Sequence, residues 1–448
     1  MTDPRDSRRA VAEVARASYE RLLAFLASRS RDLAASEDAL ADALYEALER
    51  WPVSGVPNSP EAWLLTVARR RLIDAARRNG TEEAAFDDLR AAYEDAAALA
   101  STPQPFPDDR LKLLFVCAHP AIPAEIHTPL MLHVVLGLDA ARIGSAFLVA
   151  PTTMGQRLFR AKAKIRDTRI SFDVPEQKEL KPRLEAVLAA VYAAYGVARD
   201  GVGSDTGAAN LRAEAVTLAR MLAAFLPDES EVLGLLAVLL HCEARDPARR
   251  TTAGAYVRLS EQDTALWDQA LREQADTALR EGSRAEKLGR FLFEAAIQSV
   301  HARRAETGTT DWAAVALLYG ALLCVAPTIG AAVAHAAAVL EAHNGAAALP
   351  LLDAIAPDDV AAYQPYWAVR ASVLGRTGRV EEARSAYERA IGLSADPAVR
   401  GFLRGEMETL RGGAAYAGSM TAPSRRRTPR RRRGSRRPRR SRLSVRRR

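Results

Sequence analysis

Apolar residues recur at helical spacing along most of the chain, and the clearest example lies between residues 139 and 167. Met154, Leu158, Ala161 and Ile165 follow one another at intervals of four, three and four residues, which predicts a helix with one buried stripe. Polar and basic residues fall on its opposite side: Thr153, Gln156, Arg157, Arg160 and Lys164. The pattern therefore predicts an amphipathic helix with a basic outer face.

A shorter helix is predicted immediately before it. Asp139 is a suitable N-cap, Ile143 and Phe147 form the apolar side, and Gly144 stands where two helices must approach closely. Leu148 occupies the turn position that Gly often holds. A helix-turn-helix of this kind can enter a major groove, where Arg and Gln read base edges and Lys neutralises phosphate. The alternative interpretation is a solvated amphipathic helix that binds nothing.

Residues 11–80 contain three further helical patterns. In the second, an apolar stripe consists of Leu40, Leu44, Ala47 and Trp51. The other side is acidic and carries Asp38, Asp42, Glu46 and Glu49. This predicts a helix with one core side and one side suited to a protein partner, or simply a solvated acidic face.

The third pattern is rich in arginine. Ser59 is a candidate N-cap and Pro60 fits the first turn, after which Trp63 precedes a run of basic residues. Arg70 and Arg77 belong to that run, which suits nucleic acid. Trp63 is equally compatible with a place in the core.

The order of these patterns predicts an all-α protein of several domains, because no segment alternates with a period of two. We predict one helical domain over 11–80, a proline-rich linker over 81–108, and a helix-turn-helix domain over 109–170. A helical domain over 180–411 follows. Its clearest segment resembles a tetratricopeptide helix pair, with Gly375 and Gly378 near the turn.

Charge is distributed unevenly. The net charge is +8, but 15 of the 25 residues from Ser424 to Arg448 are arginine and none is acidic. The rest of the chain has 48 Lys and Arg against 55 Asp and Glu, so its body is acidic. Residues 139–169 nevertheless carry seven basic and two acidic residues. This local excess supports nucleic-acid binding better than the overall charge does, and residues 412–448 are predicted to be a disordered tail.

The remaining chemistry is sparse. Cys117, Cys242 and Cys324 are predicted to be buried thiols of a reducing cytoplasm, and no apolar run is long enough for a signal peptide or a membrane span. Three histidines near Cys117 fit no common zinc spacing, and no common catalytic motif is present. We therefore expect a soluble, cytoplasmic protein that is not an enzyme and has no metal or cofactor.

Taken together, three of these segments indicate a protein family more specifically than any one of them does alone. The segments "SEDALADALYEAL", "PEAWLLTVARRRLIDAARR" and "ARIGSAFLVAPTTMGQRLFRAKAKIRD" together resemble the two conserved domains of extracytoplasmic-function sigma factors of bacterial RNA polymerase. The rest of the chain resembles the C-terminal extension that one subfamily of these factors carries. The match is therefore nearly full length.

This resemblance implies roles for individual residues. The helix from Glu37 to Leu48 would dock on the clamp helices of the largest polymerase subunit, making Asp38 and Asp42 candidate contacts, although Ala41 replaces a Gln usual in the family. Candidate contacts to the promoter element near the start site are Trp63, Arg70 and Arg77. Candidate contacts to the more distant element are Thr153, Gln156, Arg157, Arg160 and Lys164.

Two functional interpretations remain open. In the first, the protein is a sigma factor whose extension regulates it, either directly or by receiving a regulatory protein. In the second, it is a helix-turn-helix regulator that binds DNA without polymerase, and its tetratricopeptide-like domain senses a ligand or a protein partner.

Overall fold

The computed structural model describes residues 4–78, 108–147, 149–173, 175–200 and 206–419. Within these ranges the regular structure is helical, and the only β pairing is one isolated bridge between Arg250 and Tyr256. The predicted all-α class is confirmed. The predictions for the linker up to residue 107, for Leu148 and for the tail from residue 420 lie outside the described residues.

Three helices form the first block: α1 (Pro4–Ser30), α2 (Leu33–Ser54) and α3 (Pro60–Arg78). Helix α2 begins where the Asp32 side chain accepts a hydrogen bond from the Ala35 amide, 3.0 Å away. It ends at Gly55, whose φ of 85° favours glycine. The predicted stripe of α2 faces the core, since Leu40, Ala47 and Trp51 are buried.

The second block has four helices: α4 (Arg110–Cys117), α5 (Ala124–Val134), α6 (Ala140–Ala146) and α7 (Pro151–Asp167). The extension starts with five longer helices: α8 (Gln177–Asp200), α9 (Thr206–Phe225), α10 (Ser230–Ala244), α11 (Gln269–Gly282) and α12 (Arg290–Ala302). Short 3-10 turns connect α10 to α11.

Helical hairpins make up the rest of the extension. They are built from α13 (Arg304–Thr307), α14 (Trp312–Val325), α15 (Ile329–Ala342), α16 (Gly345–Asp353), α17 (Pro357–Val360), α18 (Gln364–Arg376), α19 (Val380–Leu393) and α20 (Pro397–Ser419). The helix pair α18 and α19 is the predicted tetratricopeptide-like segment. Its turn contains Gly378 at φ 79°, whereas Gly375 lies inside α18, where a Cβ would come within 2.8 Å of Leu410.

Two expectations are corrected here. Cys324 is exposed on α14, whereas Cys117 and Cys242 are buried as predicted. The backbone of α20 continues to Ser419, so residues 412–419 are helical although they were predicted to belong to the tail. In the described part of the chain, no helix is both long and apolar enough to cross a bilayer.

One hydrophobic cluster joins the two blocks to the start of the extension. It runs from Val11 in α1 to Ala295 in α12 and includes buried residues of every helix between them. Three smaller clusters follow one another through the hairpins from α12 to α20. The two blocks and α8 therefore share a core, and the hairpins are held by separate contacts.

Candidate nucleic-acid interface

Asp139 fixes the start of α6, and Gly144 fixes the turn between α6 and α7. The Asp139 side chain accepts a hydrogen bond from the Arg142 amide at 2.7 Å, which confirms it as the N-cap of α6. A Cβ on Gly144 would lie 2.5 Å from the carbonyl oxygen of Val149, so only glycine fits there. The Val149 amide in turn donates to the Gly144 carbonyl at 2.8 Å. The predicted close approach at Gly144 is confirmed.

Helix α7 has one buried side and one open side. Met154, Leu158, Ala161 and Ile165 are all buried, as predicted from their spacing. The residues on the other side are all exposed: Thr153, Gln156, Arg157, Arg160 and Lys164. We refer to these five as the α7 polar face. It presents three cations and two hydrogen-bonding side chains to solvent, a composition suited to base edges and phosphates.

Two phenylalanines of this helix pair are exposed. Phe147, predicted to pack inward, is 38% exposed because it is the C-cap of α6 and the helix ends before its side chain can reach the core. Phe159 is 71% exposed on α7 itself and was missed by the sequence analysis. Because Phe159 lies outside the buried stripe of α7, its exposure could have been predicted from the sequence.

Helix α2 presents a mixed acidic and apolar surface. Asp38 and Asp42 are exposed, as expected for candidate contacts. Tyr45 beside them is 64% exposed, and Leu48 and Val53 are also accessible. These three residues were not among the predicted contacts. Their positions outside the predicted apolar stripe indicate that they are exposed. We call the five together the α2 outer face.

Glu46 does not belong to that open face. Its carboxylate lies 3.2 Å from an Arg71 nitrogen of α3 and 3.0 Å from Arg50, and only 16% of its side chain is exposed. Asp42 reaches the same Arg71 at 4.0 Å but stays open. The predicted acidic side is therefore divided, since Glu46 helps to hold α2 against α3.

The aromatic and basic residues of α3 differ in exposure. Trp63 is half-buried and packs edge-on against the buried Trp51, with ring centroids 5.5 Å apart. Arg70 and Arg77 are exposed, and Arg77 lies 3.9 Å from Asp74. The two arginines are thus accessible to an anion, whereas much of the Trp63 ring belongs to the packing between α2 and α3.

A salt bridge joins α2 directly to α7. The Lys162 ammonium lies 2.5 Å from the Glu37 carboxylate, and both side chains are less than a fifth exposed. His133 of α5 is 3.9 Å from the same carboxylate. Lys162 lies on the flank of α7 away from the α7 polar face. The two candidate surfaces are therefore parts of one packed body and remain open at the same time.

The three histidines near Cys117 have capping roles. His127 and His133 each contact a backbone carbonyl, those of Ile122 and Leu138, at 2.8 and 2.9 Å. His119 accepts from the Ala121 amide at 3.1 Å. In the residues that the structure describes, no group of three or more His, Cys, Asp or Glu could hold a metal ion.

Comparisons with known proteins identify a known domain in the first block. Residues 14–82 match Sigma-70 region 2, and residues 183–283 match a family of unknown function (DUF6596). An uncharacterized protein of Rhizobium meliloti (strain 1021) is 34% identical over 389 residues, covering 85% of this chain and 91% of the relative. No solved structure matches the chain.

Proposed function

Since the chain belongs to the same family as the rhizobial protein and its residues 14–82 match Sigma-70 region 2, we propose that it is a sigma factor of the extracytoplasmic-function type. In this role it binds core RNA polymerase, directs it to specific promoters and helps to open them. Sigma-70 factors act in transcription initiation and are not enzymes.

The observation that carries the proposal is the open α7 polar face. All five of its side chains are exposed, while the opposite stripe is fully engaged in the core. The glycine-dependent turn at Gly144 holds α6 against α7, as in helix-turn-helix units, whose turn often contains glycine. We propose that this face reads the promoter element farther from the start site, with Arg157 and Gln156 at base edges and Lys164 at a phosphate.

Polymerase docking is assigned to the α2 outer face. On this face the carboxylates of Asp38 and Asp42 are exposed together with the apolar atoms of Tyr45 and Leu48. Apolar area supplies affinity and the charges supply orientation, so a mixed face is better suited to a stable partner than an acidic face alone. Because Ala41 replaces the Gln usual in the family, we propose that Asp38, Asp42 and Tyr45 make more of the contact with polymerase.

The promoter element near the start site is assigned to α3. Arg70 and Arg77 are the accessible contacts, and Trp63 contributes chiefly by fixing α3 on Trp51. We further propose that the extension regulates the factor, by receiving a regulatory protein or by changing how the first two blocks are held. This proposal is supported by the hydrophobic core that α8 of the extension shares with α4 and α5.

The decisive experiment uses the full chain and purified bacterial core polymerase. We expect the two to co-purify, and the complex to start transcripts on genomic DNA at sites that core polymerase alone does not use. The Asp38→Lys, Asp42→Lys double variant should lose co-purification because it reverses the charge of the α2 outer face.

The matched control is Glu286→Lys, an exposed acidic residue in the loop between α11 and α12. It should bind polymerase like the parent protein. Sequence-specific DNA binding that needs no polymerase, together with no co-purification, would overturn the proposal and favour an independent helix-turn-helix regulator.

A further inference from the structure

A cavity of about 370 Å³ lies in the extension, between helices α8, α12, α14 and α15. Two tyrosines, Tyr192 and Tyr319, line it together with apolar side chains such as Leu322. Burial raises the pKa of Tyr319 to about 12 and that of Tyr192 well above its ordinary value. Both hydroxyls therefore remain protonated donors at neutral pH.

One charged pair on the cavity wall is already neutralised. The Arg290 Nε donates to a Glu294 carboxylate oxygen at 2.8 Å, and the guanidinium carbon lies 5.0 Å from the centroid of the Tyr192 ring. These contacts fix Arg290 and Glu294 in place. Together they add a dipole to the wall but no net charge.

A second arginine lies behind the wall without a counter-ion. Arg245 is almost completely buried, and among the described residues it forms no salt bridge with a carboxylate. Its Nη2 donates to the Gln298 Oε1 at 2.5 Å and contacts the Cys242 sulfur at 3.6 Å, while its Nη1 has no hydrogen-bond partner. Burial lowers the pKa of this guanidinium. An uncompensated buried charge is costly, so a nearby anion would stabilise it.

Gln298 connects this buried charge to the cavity. It lines the cavity, and its Oε1 accepts from Arg245, so its NH₂ group is the part left to bind a ligand. The hydrogen bond from a cation polarises the amide and makes that NH₂ a stronger donor. Gln298 therefore presents the positive character of Arg245 to the cavity.

The first turn of α15 adds further donors. Thr328, Gly330 and Ala331 line the cavity. The Thr328 hydroxyl caps the Ala331 amide at 3.1 Å, whereas the amides of Ile329 and Gly330 precede any acceptor in their own helix. Gly330 has no side chain to cover this turn. The positive end of a 14-residue helix and the Gln298 side chain thus line the same cavity.

We propose that this cavity binds a small organic monoanion, a carboxylate with an aromatic or branched apolar body. The carboxylate lies against the Gln298 NH₂ and the first turn of α15, and the body lies between Tyr192 and Tyr319. Because Arg290 and Glu294 cancel, one negative charge balances Arg245, and the second charge of a dianion would have no counter-ion in the cavity. The site does not depend on the transcription role proposed above.

Binding is tested on the full chain by calorimetry and by thermal unfolding, with benzoate and phenylacetate as probes. We expect at least one of them to bind and to raise Tm. Benzamide has the same shape as benzoate without the charge, and phenylphosphate is a dianion. The affinity of each should be lower than that of the carboxylates by about tenfold or more. Equal binding of benzamide, or no binding of either carboxylate, would overturn the proposal.

Gln298→Glu separates the site from general stability. The new carboxylate would pair with Arg245, so the Tm without ligand should rise, while benzoate binding should fall at least about tenfold because the anion is repelled. The control is Gln274→Glu, an exposed glutamine that also accepts from an arginine, Arg220, at 2.9 Å. It should leave benzoate binding unchanged. If Gln298→Glu binds benzoate as tightly as the control does, the assignment of the carboxylate position is wrong.

Discussion

Arg157 is accessible because four other residues of its helix take the opposite side. The positions of Met154, Leu158, Ala161 and Ile165 in the core follow from spacing alone, so the sequence suffices to say which side of α7 is open. Spacing does not say what a neighbouring helix covers. Trp63 is half-buried because Trp51 of another helix meets its ring, and Glu46 is covered because Arg71 reaches it.

Replacing Arg157 tests the α7 polar face. Arg157→Ala removes a cation proposed to read a base edge, so we expect binding of the polymerase complex to its promoter to weaken by ~1–3 kcal/mol, with relaxed specificity at one position. Competition binding against promoter variants measures both effects. Arg166→Ala is the control, because Arg166 is an exposed arginine of the same helix that pairs with Asp167 at 3.1 Å. Equal losses from both substitutions would mean that only total charge matters.

The cysteines give a second test at this scale. Burial raises the pKa of the Cys117 thiol far above its ordinary range, and Cys242 is buried too, whereas Cys324 is exposed. A thiol must be accessible and ionised to react. We expect a maleimide to modify only Cys324 in the native protein and all three cysteines in denaturant, as measured by peptide mass spectrometry. The Cys324→Ser variant should be unreactive when folded; rapid labelling of Cys117 would contradict the packing described here.

At the scale of elements, the sequence predicts helices well and their ends less well. The pair α18 and α19 was recognisable because Gly378 allows the tight turn and small residues meet across it. Arg370 is a charged residue within α18, and its partner lies outside the pair: its guanidinium is 2.6 Å from Asp353 of α16. That partner belongs to the preceding hairpin, which periodicity within one pair cannot reveal.

The turn between α6 and α7 is the element most sensitive to substitution. Gly144→Ala would push a methyl group against the Val149 carbonyl, so we expect a loss of ~1–3 kcal/mol in the free energy of unfolding and weaker DNA binding. Gly155→Ala is the matched control, since nothing lies within 4 Å of its Cβ position. It should leave stability unchanged or raise it by up to ~1 kcal/mol, because alanine favours the helix. Urea unfolding measures both; equal effects would show that the close approach at Gly144 is not rigid.

At the scale of the whole molecule, the blocks are packed together although they are separate in sequence. Ser28 and Arg29 of α1 both donate to Asp109 beside α4 at 2.9 Å, and Arg110 is paired with Glu214 of α9. The domain boundaries were predicted from proline content and composition. Such signals mark where helices stop, but they do not say which apolar faces meet. The common core was therefore not predicted.

Leu184→Ala tests that common core. Leu184 is a buried residue of α8 in the large cluster, so its truncation should cost ~2–5 kcal/mol. Hydrogen exchange should accelerate in α1, α4 and α5 as well as in α8, while α18 and α19 keep their protection. The control Leu352→Ala lies in a separate cluster and should affect α15 to α18 instead. Unchanged exchange in α4 and α5 of the Leu184 variant would mean that the blocks fold independently.

The position of α8 also matters during synthesis. The ribosome completes the first two blocks before it makes the helix that covers the apolar sides of α4 and α5. Until then these sides are exposed, as in other nascent chains, and they attract chaperones and proteases. We therefore expect a chain truncated before α8 to be degraded rather than to accumulate. The shared core would in this way make the survival of the first two blocks depend on the synthesis of the extension.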